Sequence, residues 1–393
     1  MSALLSVLAW ALAAVVAVPL GVFAVEVMAG LFPRRSGARP QALAKAAILI
    51  PAHDEEAGIA ATLAALAAVV PTDTRILVVA DNCSDRTAAI ARESGAEVLE
   101  RADPERRGKG YALAFGRDYL LASSPPDYVV VLDADCRLAP GSVMALGGEA
   151  LRRGTPVQAI NLISPDRDAP PMVQISSFAM VVKNLFRSRG MQRLGGAALL
   201  TGTGMAFPWT LFERVDLATG SIVEDLSLGV EMTRAGHAPY LVEEAHVRSA
   251  PAALGDALQQ RKRWEHGFLD ALRRRALQVL GGGLARGSLR EILLGLHLLV
   301  PPLALLIALV IAVSLVLGLI ALAGGSWLPL ALLTGLLAIA LSLIAMAWFF
   351  EGRPYLAGKA LLRAPLYILW KLPIYAGFLR GPETKWTRTP RRD

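Results

Sequence analysis

The sequence predicts an α/β domain built on a mostly parallel sheet, with apolar helices at both ends of the chain that are long enough to cross a bilayer. Two patterns predict it. Through the middle of the chain, short apolar runs recur with helix-like segments between several of them, an alternation that favours parallel strands covered on both faces. Towards the ends charge nearly vanishes: 4–32 carries one acid, Glu26, and no base, and 295–350 carries no ionisable side chain except His297.

Spanning a bilayer takes about 20 predominantly apolar residues, so 1–32 is expected to be a transmembrane helix. Its opening, "MSALLSVLAW", lacks the basic start of a signal peptide, and the apolar run is too long for one. The segment 281–350 is expected to hold two more transmembrane helices behind an interface stretch that includes "LRRRALQVL". They run from about 295 to 322 and 328 to 350, on either side of the uncharged turn "AGGSW". In 351–393, Lys359, Arg363 and Lys371 stand in an apolar background. An interfacial amphipathic helix over 355–379, bent at Pro365 and Pro373 and followed by a basic tail, suits those charges better than another span.

The basic runs "PRRSGARP", the Arg-rich stretch before Gly295 and "KWTRTPRRD" all fall on one side of these spans. Cytoplasmic loops are the ones enriched in Lys and Arg, which makes the middle region cytoplasmic in an inner or plasma membrane protein. The net charge of +7 points first to nucleic acid, yet much of the surplus borders the spans, where membrane lipid is the ordinary partner. Two cysteines, Cys83 and Cys136, have neither zinc-site spacing nor the density of a secreted disulfide scaffold. The histidines His53, His237, His246 and His297 show no ligand spacing either.

Between 45 and 280 the composition returns to that of one globular domain. Its strand candidates are 46–52, 75–81, 96–100, 127–135 and 157–163. A helix is expected after the first, and another in "SDRTAAIARESG", opened by a Ser84/Asp85 cap and stopped by Gly95.

In an open parallel sheet, ligands bind outside the carboxyl ends of the strands. Three runs end in acids there: "ILIPAHDEE", "ILVVADNCSDRT" and "VVVLDADC". Residues two apart on an extended strand share a side, so Asp133 and Asp135 are expected to present both carboxylates to one hard cation, Mg²⁺ or Mn²⁺, with a nucleotide diphosphate as the implied substrate. D-x-D alone is a weak signal, because strand-to-loop junctions are often acidic for solubility. A phosphate-cradling G-x-x-x-x-G-K-[ST] is absent, and no G-x-G-x-x-G follows a strand.

The ordered set "ILIPAHDEE", "VVADNCSDRT", "RRGKGYALAFG", "VVVLDADC", "SIVEDLSLGVEMTRAGH" and "QQRKRW" resembles the family 2 glycosyltransferases of the D-D-D-QxxRW type. The likeness is to the membrane-embedded branch, which includes cellulose, chitin and hyaluronan synthases and ceramide glucosyltransferases. It covers about 45–266. The resemblance implies a GT-A fold and metal-dependent, inverting transfer of a hexose from a nucleotide sugar, commonly UDP-linked, to a lipid-linked or polysaccharide acceptor in envelope or exopolysaccharide synthesis. By matching position it places Pro51, Ala52, His53 and Glu55 along the nucleoside, Asp81 at the base, and Lys109, Asp133 and Arg263 near the diphosphate. Asp135 and Asp133 are the implied metal ligands, and Asp225 is the base that takes the acceptor proton.

Thr203, Gly204, Glu224, Gln260 and Trp264 fall on the acceptor side of the same resemblance. An Arg fork suits diphosphate oxygens and an indole face suits a sugar ring. Each position also has a plainer reading: a solvated basic loop for Lys109, a helix start for Glu224 and Asp225, a turn for "TGTG", and headgroup anchors for Arg263 and Trp264. Glu265, His266 and Arg261 stay open between site and anchor. A ceramide glucosyltransferase-like glycolipid synthase remains the alternative enzyme, since Q-x-x-R-W occurs in both groups. A membrane-anchored nucleic-acid binder would have no use for the three acidic strand ends.

Overall fold

The computed structural model describes residues 2–33, 44–218, 224–250 and 254–381, without the side chains of 2, 224 and 254–261. The basic runs at 34–40 and 385–393 and Arg261's side chain lie outside the described residues. The chain divides into two compact units: one of 33–164, 197–256 and 384–393, the other of 1–32, 165–196 and 257–383.

Among the described residues, the first unit is built on eight strands: β1 (Ala46–Ala52), β2 (Arg75–Asp81), β3 (Glu97–Arg101), β4 (Tyr128–Val131), β5 (Cys136–Leu138), β6 (Val157–Ile163), β7 (Met205–Pro208) and β8 (Tyr240–Ser249). They form one mixed sheet in the order β3-β2-β1-β4-β7-β6-β8-β5. The pairs β1/β2, β1/β4, β2/β3 and β6/β8 are parallel, whereas β4/β7, β6/β7 and β5/β8 are antiparallel. The parallel half follows from apolar residues at every position of β1. Ile48 and Ile50 pack with Ile59 and Leu63 of the helix Ile59–Ala67, while Ala47 and Leu49 pack with Leu113 and Leu120 of the helix Lys109–Ser123. Burying each such aliphatic side chain contributes about 1.5–3 kcal/mol, so a strand apolar on both faces is stable only when covered on both.

Pro51 sits in this inner strand without cost to the ladder. The β4 pairing stops at Leu49↔Val131, so no partner asks for the N–H that proline lacks. β5, β7 and β8 escaped the sequence reading. β5 and β7 are too short for a periodic signal, and β8, "YLVEEAHVRS", carries charge at Glu243, Glu244 and Arg248.

The strand expected over 127–135 ends at Val131, and Asp133 to Asp135 form a tight turn in which the Cys136 N–H donates to the Asp133 carbonyl at 3.0 Å. The two carboxylates are therefore brought together by a turn, not by the period of an extended strand.

Among the described residues, the second unit contains three helices long and apolar enough to cross a membrane: Ala3–Gly30, Leu303–Leu322 and Leu328–Gly352. The first C-terminal helix of this kind starts at Leu303, not near 295, because Pro301 and Pro302 cannot continue the preceding helix, Leu289–Leu298. The helix Ala364–Arg380 runs continuously through Pro373, and its Lys371 is fully buried with its ammonium on Glu265 Oε1. That corrects Lys371 as a headgroup-facing charge.

The N-terminal helix meets the short helix Ser188–Arg193 at two glycines. A Cβ on Gly190 would lie 1.8 Å from the Glu26 carbonyl oxygen, and one on Gly30 would lie 1.9 Å from that of Phe186. This close crossing brings Glu26, the one acid of the N-terminal helix, into a buried cluster. Arg187 Nε donates to Glu26 Oε2 at 2.6 Å, and His297 Nδ1–H donates to Glu26 Oε1 at 2.8 Å. Arg187→Met would leave the Glu26 carboxylate buried without its cation. The expected cost is about 3–5 kcal/mol, read as a lowered midpoint of thermal unfolding in detergent, with Glu26→Gln/Arg187→Met recovering part of it. A single variant as stable as the parent would contradict the ion-pair account.

Candidate functional site

Two left-handed residues end the first two strands: Asp54 (φ 52°) after β1 and Asn82 (φ 51°) after β2. Non-glycine residues held in that region are strained and persist only where their surroundings fix them. Here the two strand ends cap each other. Asp54 Oδ1 accepts from the Ser84 N–H at 2.6 Å, the Glu55 N–H donates to Thr87 Oγ1 at 2.6 Å, and Cys83 Sγ donates to the Ala52 carbonyl at 3.5 Å. His53 Nδ1 donates to the Asp81 carbonyl at 2.7 Å. Asp85 Oδ1 accepts from the Thr87 N–H at 2.9 Å in the turn that leads into the helix Thr87–Glu93, whose cap position is Arg86 and not the expected Ser84 or Asp85, and Gly95 (φ 82°) follows that helix. Pro51, Ala52, His53, Glu55 and Asp81 are thus held on adjoining strand ends.

The second group gathers at the end of β4. Lys109, the first residue of the helix Lys109–Ser123, points its ammonium at Asp133 Oδ1 and donates to the Gly202 carbonyl at 2.7 Å. Ligand atoms of Asp133, Asp135 and Cys136 lie within 4.8 Å of one another. Burial, reinforced by the Asp135 and Asp133 carboxylates, pushes the Cys136 thiol well above its ordinary range, so it stays a neutral thiol. The donors that suit a hard divalent cation are therefore the two carboxylates. A second cluster, Asp54, Cys83 and Asp85, also lies within 4.8 Å, but its acids cap loops, and burial raises the Cys83 thiol as well.

The loop Thr201–Gly204 is held from several sides. Gln158 Oε1 accepts from the Thr201 N–H and Gln158 Nε2 donates to the Thr203 carbonyl, both at 2.9 Å. Asn161 Nδ2 donates to Thr201 Oγ1 at 3.1 Å, and Thr203 Oγ1 accepts from the Asp133 N–H at 3.0 Å. Gly204 faces the sheet: a Cβ there would lie 2.7 Å from Val247 Cγ1 and 3.1 Å from Ala159 Cβ. Gly202 faces the site, because a Cβ on it would meet Asp225 Oδ2 at 3.2 Å and Lys109 Nζ at 3.4 Å.

Asp225, in the first turn of the helix Glu224–Arg234, accepts the Leu226 N–H at 2.8 Å through Oδ1. Asp133, Asp135, Lys109, Thr203 and Asp225 are thereby brought together. The sequence reading missed Gly202, Gln158 and Cys136. "TGTG" carried a signal for the first, whereas Gln158 is an isolated polar residue inside a strand.

The Q-x-x-R-W residues lie on the helix Leu254–Ala271, in the part of it, from 257 onward, that belongs to the other unit. The side chains of Gln260 and Glu224 lie outside the described residues. Trp264 is 37% exposed and Arg263 half-buried. Their successors turn inward: Glu265 takes the Lys371 ammonium, and His266 Nε2 donates to the Ile374 carbonyl at 2.8 Å. Glu265 and His266 thus tie this helix to the helix Ala364–Arg380.

Residues 44–267 match the family model described as glycosyltransferase like family 2. A low-salt glycan biosynthesis hexosyltransferase of Haloferax volcanii is 37% identical over 92 residues, 23% of this chain and 20% of that protein. An uncharacterized glycosyltransferase of Mycobacterium tuberculosis is 34% identical over 102 residues, 26% of this chain and 42% of that protein. The chain thus spans less than half the length of these curated relatives. Among solved structures, a mannosyltransferase from Pyrobaculum calidifontis in complex with GDP-Man and Mn²⁺ superposes with a TM-score of 0.58. It is 19% identical, and the match covers 93% of this chain and 99% of that one, which is a likeness of fold.

The crowding round Gly202 is testable by stability alone. Gly202 has φ 82°, so Gly202→Ala is expected to cost about 1–3 kcal/mol in backbone strain. Gly281→Ala, whose Cβ meets nothing within 4 Å in the helix Leu277–Arg286, is expected to cost nothing. Equal thermal unfolding midpoints for the two variants would contradict the described loop.

Proposed function

The chain belongs to the glycosyltransferase-like family 2, and from that premise we propose that it transfers a sugar, with inversion, from a UDP-linked donor to a lipid-linked or growing glycan acceptor at the cytoplasmic face of a membrane. The observation that carries the proposal is the convergence of Asp133, Asp135, Lys109 and Asp225 around Gly202. Two carboxylates for a cation, one ammonium for an anion and a further carboxylate beside them are the groups needed to hold a diphosphate and deprotonate a hydroxyl.

In this reading Pro51, Ala52, His53, Glu55 and Asp81 line the nucleoside, and Asp133 and Asp135 hold Mg²⁺ or Mn²⁺. When bound, the cation neutralises the departing diphosphate. The chain's own residues do the rest. Lys109 is already aimed at this position, and a helix N-terminus favours phosphate there. Asp225 Oδ2, on the Gly202 side, takes the proton from the acceptor hydroxyl as the oxygen attacks the anomeric carbon and the bond to the diphosphate breaks. A base in the first turn of a helix is rigidly mounted. Arg263 adds charge to the diphosphate, Trp264 offers its exposed indole to a sugar ring, and Gln260, Glu224, Thr203 and Gly204 shape the acceptor side.

The three apolar helices support a membrane setting and with it a lipid-linked acceptor. The basic residues flanking them support the cytoplasmic side for the sheet unit.

Asp225→Asn is expected to lower kcat for UDP release about 10²- to 10⁴-fold while UDP affinity stays within about threefold, since a base acts in the step and not in donor binding. Chelation by EDTA is expected to stop wild-type turnover, and added Mn²⁺ to restore it. Unchanged turnover in Asp225→Asn would sink the mechanism.

A further inference from the structure

Asp81, the residue assigned above to the nucleobase, is tied on one side of its carboxyl group. Arg101, opposite it in the β2/β3 register, donates from Nη1 to Asp81 Oδ1 at 2.6 Å, and Asn82 Nδ2 donates to the same oxygen at 3.0 Å. Both donors are themselves fixed. The other guanidinium nitrogen of Arg101 donates to Asp103 Oδ2 at 3.0 Å, the guanidinium carbon lies 5.6 Å from the Tyr111 ring centroid, and the side chain is 9% exposed. Asn82 Oδ1 accepts from the Asp103 N–H at 2.8 Å, which sets the orientation of its amide. Asp103 in turn holds Arg106 through its backbone N–H and Nε at 3.0 and 2.8 Å. Among the described residues, no donor reaches Asp81 Oδ2.

We propose that Arg101 is a specificity-determining residue for the donor's base: by occupying Asp81 Oδ1 it leaves the carboxylate one oxygen, which matches a base edge with a single ring N–H, as uracil has, and disfavours guanine. The inference rests on the donor reading above and deepens it. Uracil offers N3–H between two carbonyls, so Oδ2 alone satisfies its one donor. Guanine offers N1–H and a 2-amino group side by side, and a carboxylate with both oxygens available would take the pair. With Oδ1 committed, one of those N–H groups is left without an acceptor in a buried site, a costly arrangement. Cytosine and adenine present a ring acceptor at the same place and would face the carboxylate with a lone pair.

The sequence held the signal. Arg101 directly follows the apolar run "AEVL" and Glu100, so it stands at a strand's carboxyl end as Asp81 does, but as a cation among acidic strand ends.

The test titrates UDP, GDP and CDP into full-length protein in lipid nanodiscs with Mn²⁺ present. Wild type is expected to prefer UDP over GDP and CDP by on the order of ten- to hundredfold, the effect of one unsatisfied buried N–H or one opposed lone pair. Arg101→Gln is expected to shrink the UDP-to-GDP ratio severalfold and to raise the donor KM with kcat nearly unchanged. Arg101→Lys, which can still donate to Oδ1, is expected to keep most of the discrimination. A merely structural role would lower the active fraction, and so kcat, without moving the ratio. GDP binding as tightly as UDP in wild type, or an unmoved ratio in Arg101→Gln, would overturn the assignment while leaving the transferase reading intact. If no nucleotide binds to wild type, or Asp133→Asn does not weaken UDP, the donor reading itself fails and takes this inference with it.

Discussion

Lys109 sets its ammonium between the Asp133 carboxylate and the Gly202 carbonyl, and the site is arranged around that contact. Two neighbouring carboxylates at Asp133 and Asp135 repel unless a cation stands near them. Lys109 also occupies the first position of a 15-residue helix, the end that favours anions. A cation is unfavourable there unless negative charge faces it. Asp133 provides that charge, and the Gly202 carbonyl adds a second acceptor for the same ammonium.

The contact needs a rigid frame, and the sheet supplies it. Apolar residues on both faces of β1 and β2 pin the strands between helices, and this fixes their carboxyl ends on the same side of the sheet as the end of β4. Gln158 clamps Thr201 and Thr203, and Thr203 in turn takes the Asp133 N–H. Glycine at 202 leaves room for Asp225 and Lys109 to approach the loop backbone, while glycine at 204 lets that loop enter the sheet. The neighbouring positions therefore serve different ends, one open to the site and one sealed against Val247.

Much of this was legible in the sequence, because the signals were local and chemical. β1, β2 and β6 have the predicted bounds, since each is a run of apolar residues bordered by polar ones. Asp133, Asp135, Lys109 and Asp225 were found from strand ends and from the order of motifs, and they lie together. What escaped depends on tertiary partners. β7 is four residues long and pairs antiparallel with strands on both sides. The turn at Asp133 breaks an apolar run that reads as continuous strand. Glu265 and His266 lie beside Trp264 in the sequence, yet their partners, Lys371 and Ile374, are more than a hundred residues away. The inward turn of Lys371 could not be read from a residue type that ordinarily marks a surface.

The central claim is that Asp225 drives direct displacement at the anomeric carbon. The most direct measurement follows the anomeric proton by NMR while the purified protein, in lipid, consumes an α-linked UDP-sugar with Mn²⁺ and an acceptor-bearing lipid extract. A β-linked product from its first appearance is the expected result, since one attack by the acceptor oxygen inverts the centre. An α-linked product, or release of free sugar without an acceptor adduct, would contradict it.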